Sequence, residues 1–194
     1  MGYTKDPLTD TPMAAPNATV YKCELQVTDM DRHYYASHNL TLAQHPSETE
    51  LRLMARLLAF ALFAEERLEF GRGLSSEDDP DLWLRDYTGD VELWIDLGQP
   101  DESRIKKACA RAKRAVVLGY LGNAFDIWFG KNESTLRRFK NLTVVALPGE
   151  SVEAAAALLQ RGMRLTAMIQ DGELQLMSES DNVTMRPVWL KKPE

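Results

Sequence analysis

The sequence predicts a mixed α/β fold: a mixed β-sheet flanked by helices, with additional antiparallel strands from both termini. Three observations predict it. Period-two alternation of apolar and polar residues appears near each end of the chain. Helix-length stretches with capping residues fall between short apolar runs in the middle. Hydrophobic residues make up 44% and charged residues 27% of 194, which excludes disordered, collagen-like and coiled-coil chains.

Residues 1–17 carry Pro7, Pro12 and Pro16 among small polar residues and read as a flexible leader. Residues 18–194 read as a single domain of ordinary size. Tyr21, Cys23, Leu25 and Val27 alternate with Lys22, Glu24 and Gln26, a half-buried strand. The turn at Asp29-Met30-Asp31-Arg32 sends the chain back through Leu40 and Leu42, a hairpin in which His38 is expected opposite Cys23. Ser47 and Glu50 then form a capping box, with Glu48 adding negative charge to the first turn. No charged residue follows between Arg56 and Glu65, so this helix is expected to cross the middle of the molecule.

Leu68-Glu69-Phe70 is a short strand candidate, and Val91 to Leu97 is the clearest strand. Gly98 and Pro100 stop it, and Asp101 or Ser103 caps a helix with Ile105, Ala108, Cys109 and Ala112 along its apolar stripe. A strand at 116–120, a helix at 123–139, a strand at 142–147 and a helix at 151–161 come next. Asp171-Gly172 between two apolar runs signals a type I′ hairpin, and Val188 to Leu190 closes the chain as a strand.

Two cysteines, Cys23 and Cys109, are too few for a disulfide framework or a cysteine-based zinc site. No apolar run reaches the roughly 18 residues of a membrane span, so no membrane partner is expected. A reducing, cytoplasmic setting is the simplest expectation. The net charge of −6 argues against a surface coated in phosphate-binding residues, but its distribution is uneven. Thirteen acids face three arginines over residues 65–102, whereas six basic residues face two acids over 101–114. Carboxylates are thus placed beside cations, and solvated helix faces explain the same pattern.

The stretch from Pro80 to Gly98 carries the chemistry. A hairpin turning at Thr88-Gly89 pairs Trp83 with Trp94, Arg85 with Glu92, Leu82 with Ile95 and Leu84 with Leu93. The same register sets Asp81 against Asp96 with Cβ atoms about 4.5–5.5 Å apart, where two carboxylates repel unless one is protonated or a cation lies between them. Asp79-Pro80-Asp81 is also a good helix start, which would remove that pairing.

His45-Pro46-Ser47-Glu48-Thr49, Pro80-Asp81-Leu82-Trp83, Trp94-Ile95-Asp96-Leu97-Gly98 and Arg104-Ile105-Lys106-Lys107-Ala108 resemble the YaeQ family of bacterial proteins, over about residue 18 to the C-terminus. The order helix, three strands, helix, strand, with Pro-Asp and a later acid, also resembles the PD-(D/E)XK nuclease superfamily. That resemblance implies a PD-(D/E)XK nuclease-like core, with Asp81 and Asp96 as its acids and Glu48 as the acid from the first helix. Glu48, Asp81 and Asp96 would hold Mg²⁺ or Mn²⁺, which lowers the pKa of a bound water. The motif lysine falls on Gly98, so Lys106 or Lys107 of the next helix would supply it: Lys106 flanks the apolar stripe, and the family pattern admits Lys107 equally. Arg104, Arg111, Lys113 and Arg114 would hold flanking phosphates of DNA or RNA. The implied activity is metal-dependent phosphodiester hydrolysis; the alternative is a nuclease fold without catalysis that binds nucleic acid or protein.

Overall fold

The computed structural model describes residues 17–194. The expected leader therefore lies, apart from Asn17, outside the described residues. Among the described residues eleven strands form two mixed sheets, and four α-helices pack on them. The additional strands expected from both termini build a second sheet of their own, except the last strand of the chain, which joins the other sheet.

That second sheet begins with the hairpin β1 (Thr19–Asp29) and β2 (Tyr34–Gln44), eleven residues each in uninterrupted antiparallel register. The register sets His38 opposite Leu25, and Cys23 opposite Leu40, two residues away from expectation. His38 shares a hydrogen bond of 3.0 Å with the Tyr34 hydroxyl and meets the Phe60 ring edge-on. The C-terminal hairpin β8 (Gly162–Gln170) and β9 (Glu173–Met177) turns through Asp171 and Gly172, both at positive φ as a type I′ turn requires. β8 lies parallel to β1, and β10 (Asn182–Met185) adds to β9, giving the order β10-β9-β8-β1-β2. β1 alternates buried and exposed residues along its whole length, so it has an inner face to cover but carries no mark of which strand will flank it.

The other sheet has the order β11-β7-β6-β5-β4-β3. β3 (Leu68–Phe70), β4 (Leu82–Arg85) and β5 (Val91–Leu97) are antiparallel neighbours. β6 (Ala112–Gly119) and β7 (Leu142–Ala146) run parallel to β5, and β11 (Val188–Lys191) closes the edge antiparallel to β7. The hairpin register of Leu82 with Ile95, Trp83 with Trp94 and Leu84 with Leu93 is as expected. It shifts after Leu84, so Arg85 opposes Val91 rather than Glu92 and bonds instead to Glu69 at 3.0 Å. Residues 80–86 do not form a helix.

Helix α1 (Glu50–Leu62) is buried from Leu53 to its end and joins both sheets in the larger apolar core. Its N-cap is Thr49, whose hydroxyl accepts from the Arg52 amide, not Ser47, which bonds to His45. A capping box at Ser47 would have drawn Glu48 into the helix; with Thr49 as cap, Glu48 stands just before it and turns inward. Helix α2 (Glu102–Arg111) is capped by Asp101, one of the two caps expected; α3 covers Asn123–Leu136 and α4 covers Gly149–Ala156, both ending earlier than expected. The second, smaller core joins Trp94, Ile105, Ala108, Val117, Phe125 and Val144, so the six-stranded sheet has an α1 face and an α2–α3 face.

Candidate functional site

Three carboxylates expected at one centre, Glu48, Asp81 and Asp96, are all buried. Each is held by arginine. Glu48, one residue before the α1 cap, accepts from Arg52 at 2.9 Å and from Arg56 at 3.0 Å. Arg52 and Arg56 are one turn apart on α1, so both reach Glu48 from one helical face. Asp81 follows Pro80 at the mouth of β4, and its Oδ1 accepts from the Nη2 of Arg52 at 2.5 Å. Its Oδ2 accepts from the Leu97 amide at 2.8 Å, tying it to the end of β5. A single guanidinium therefore bridges Glu48 and Asp81.

Asp96 takes its partners from elsewhere. Arg104 in the first turn of α2 donates to Oδ1 at 2.7 Å, and the indole of Trp94 donates to Oδ2 at 2.9 Å. Arg104 also reaches the carbonyls of Glu77 and Asp79 at 2.7 and 2.8 Å, so it pins the segment leading into Asp81. Gly71 allows the same segment to sit close: a Cβ there would lie 1.9 Å from the Pro80 carbonyl oxygen. Gly98, where the expected motif would carry its lysine, has φ +83, a left-handed conformation that a lysine would adopt only with strain.

Electrostatics follow the geometry. Burial raises the Asp96 carboxyl above the ordinary aspartate range, Arg104 and Trp94 pull it back, and the nearby Asp81 charge raises it further. Burial works against the charge of Arg52, but Asp81 and Glu48 outweigh it and the guanidinium is held more firmly protonated. Arg104 is raised in the same way by Asp96, whereas burial wins at Arg56 and lowers it despite Glu48. The Nε of Arg56 lies 3.0 Å from Glu48 but is not aligned to donate, the one such orphan among the described buried side-chain atoms. Tyr120, buried beyond β6 and raised chiefly by burial, feels Arg52, Asp81 and Glu48.

Of the lysines and arginines expected at the site, Arg104 alone makes a hydrogen bond to one of the three acids. Lys106 is exposed on α2, and Lys107 bonds to exposed Asp78 at 2.5 Å. Arg104, expected on phosphate, is turned to Asp96. Arg111 is exposed at the end of α2. Lys113 and Arg114 stand on β6 rather than a helix, with Glu92 and Glu65 as their partners at 3.4 Å. Trp83 and Trp94 meet edge to face at 6.5 Å as a packing pair. Burial pushes the Cys23 thiol up to about 12 and that of Cys109 to about 11, so neither serves as a thiolate nucleophile near neutral pH.

Arg52 and Arg56 were absent from the expected site. Their signal was in the sequence, as Glu48, Arg52 and Arg56 at successive four-residue intervals. A divalent ion needs carboxylate oxygens converging on one point, without guanidiniums already neutralising them. Here every oxygen of Glu48, Asp81 and Asp96 already faces an N–H donor, and no group of three His, Cys, Asp or Glu side chains among the described residues is arranged to hold a metal. The three acids as placed do not fit a cation; three carboxylates and three guanidiniums form a neutral centre.

The chain matches the family model described as YaeQ protein over residues 13–187. The proteins of Escherichia coli K12 and Salmonella typhi named "Uncharacterized protein YaeQ" are each 42% identical to it over 179 residues, covering 92% of this chain and 99% of theirs. The crystal structure of YaeQ from Xanthomonas axonopodis pv. citri superposes with a TM-score of 0.89 at 60% identity, covering 91% of this chain and 99% of that one. The YaeQ structure from Pseudomonas syringae gives 0.86 at 36% identity, with 92% and 98% covered. Sequence and fold agree along nearly the whole length, and the chain belongs to the YaeQ family.

Proposed function

We infer that the chain carries a PD-(D/E)XK-type core whose centre is bridged by arginine, and that it binds nucleic acid without hydrolysing it. The order α1, β3, β4, β5, α2, β6 supports the core, because it follows the helix, three strands, helix, strand of that superfamily. One observation carries the functional half: Arg52 spans Glu48 and Asp81, where a bridging cation would otherwise stand. The left-handed backbone at Gly98 and the outward course of Lys106 and Lys107 leave no lysine beside Asp96. Exposed Lys106 and Arg111, which have no carboxylate partner among the described residues, together with Lys113 and Arg114, offer cations to a phosphate backbone. Binding through them falls as salt rises, by counterion release.

Metal-dependent phosphodiester hydrolysis is the second reading. It is favoured by the field that Asp81 exerts on Asp96, which puts the two acids within electrostatic reach, and by Arg52 and Arg104, which both keep some exposure and a path outward. The test is an assay of labelled single- and double-stranded DNA and RNA at two salt concentrations, with and without Mn²⁺, for the wild type and Asp96→Asn. Salt-sensitive binding with intact substrate is expected. Mn²⁺-dependent cleavage lost in Asp96→Asn would select hydrolysis, and absence of salt-sensitive binding to every polymer would remove both readings.

A further inference from the structure

The two sheets have four edges. β3, β10 and β11 supply three of them and are three or four residues long. The fourth is β2, with eleven residues. Natural edge strands of that length are blunted by charge, proline or a bulge, because unpaired backbone groups template association. Tyr34-Tyr35-Ala36-Ser37-His38-Asn39-Leu40-Thr41-Leu42-Ala43-Gln44 has no Asp, Glu, Lys, Arg or proline, and its register with β1 has no bulge.

The hydrogen-bond phase of the edge is fixed by two contacts. The Lys22 amide donates to the Arg161 carbonyl, on the β8 side, so its partner Thr41 is in a non-bonded pair and presents its own N–H and C=O outward. Arg56 donates to the Ala43 carbonyl from the same open side. Tyr35, Ser37, Asn39, Thr41 and Ala43 therefore direct their backbone groups away from β1, and only the Ala43 carbonyl has a partner among the described residues.

We propose that β2 pairs with β2 of a second copy of this chain, antiparallel about a two-fold axis, joining two five-stranded sheets into one of ten. A two-fold pairing is self-complementary and closed, using one edge per copy. With Asn39 at the axis, Ser37 faces Thr41 and His38 faces Leu40 of the other copy, short of Ala43, whose carbonyl Arg56 already holds, and no like charges meet because β2 carries no acid or base of fixed charge. Pairing with β10 instead would propagate an open filament, and β10 is short and followed by Arg186-Pro187.

Sedimentation equilibrium and residue-resolved amide exchange test the pairing on the full chain. The wild type is expected to sediment at two chain masses and dissociate on dilution, with the Ser37, Asn39 and Thr41 amides protected only in the dimer. Asn39→Lys places like charges at the axis, and Asn39→Pro removes an outward donor that β1 does not use; each is expected to sediment as a monomer with unchanged circular dichroism. A wild type monomeric into the high-micromolar range would overturn the proposal, including one that instead captures an extended peptide of another protein on β2. So would a dimer that survives Asn39→Lys with these amides exchanging freely.

Discussion

At Arg52, one guanidinium with a 16% exposed side chain holds two carboxylates that are nearly inaccessible. Removing one member of a buried ionic set leaves uncompensated charge and typically costs about 3–5 kcal/mol. Arg52→Gln is expected to lose stability on that scale and to recover part of it on addition of Mn²⁺, because Glu48 and Asp81 are then free to bind the ion. Unfolding in urea with and without Mn²⁺ measures both effects. If wild-type protein gains as much from Mn²⁺ as the variant does, Arg52 does not stand in for a cation. Asp96 gives a pH prediction of definite sign. Its carboxyl is raised in the folded state, chiefly by burial, above the ordinary value of 3.8. A raised group stabilises below its unfolded value, and that contribution is lost as pH rises through the native one. Ionised Asp96 is therefore a cost near neutrality that asparagine does not carry. Asp96→Asn is expected to be at least as stable as wild type at pH 7, and to lose that advantage on acidification from the native value down through 3.8. A variant clearly weaker at pH 7 would mean that the Arg104 ion pair outweighs desolvation.

Elements were more legible than their ends. The β4–β5 register followed from matching tryptophans and leucines across a turn, since period two leaves little freedom once one face is buried. The slip at Arg85 was hidden, because a bulge changes spacing without changing composition. Asp101 was legible as one of two candidate caps for α2, whereas the capping-box pattern pointed to Ser47 for α1 and the cap is Thr49. The α2 lysines were placed by helical period, which ranks faces relative to the apolar stripe; it does not say that the first turn of α2 lies beside the end of β5, where Arg104 meets Asp96. The α1 cap can be tested directly. Losing an N-cap hydroxyl costs about 0.5–2 kcal/mol. Thr49→Ala is expected to lower stability by about that much, measured by thermal unfolding. Ser47→Ala, at an exposed residue whose hydroxyl bonds only to half-buried His45, is expected to change little. Equal losses from both would return the cap to Ser47.

Across the whole molecule, the strands themselves were legible and the sheet they share was not. Cys23 pairs with Met163, 140 positions further along the chain, and nothing local in β1 names β8 as its neighbour. That separation has a kinetic consequence. Closing a long loop costs entropy before the contact returns anything, so non-local pairing tends to form late. The β4–β5 hairpin closes over a few residues and sits against α1 in the common core. Leu93 on β5 and Leu165 on β8 are both buried, and truncating either to alanine removes about 2–5 kcal/mol. The loss divides between folding and unfolding rates according to how early each contact forms. Leu93→Ala is expected to slow refolding, whereas Leu165→Ala is expected to accelerate unfolding and leave refolding nearly unchanged. Stopped-flow folding and unfolding limbs for the two variants resolve the difference. Should Leu165→Ala slow refolding as much as Leu93→Ala, the parallel β1–β8 pair belongs to the nucleus, and the terminal sheet is an early part of the fold rather than its last closure.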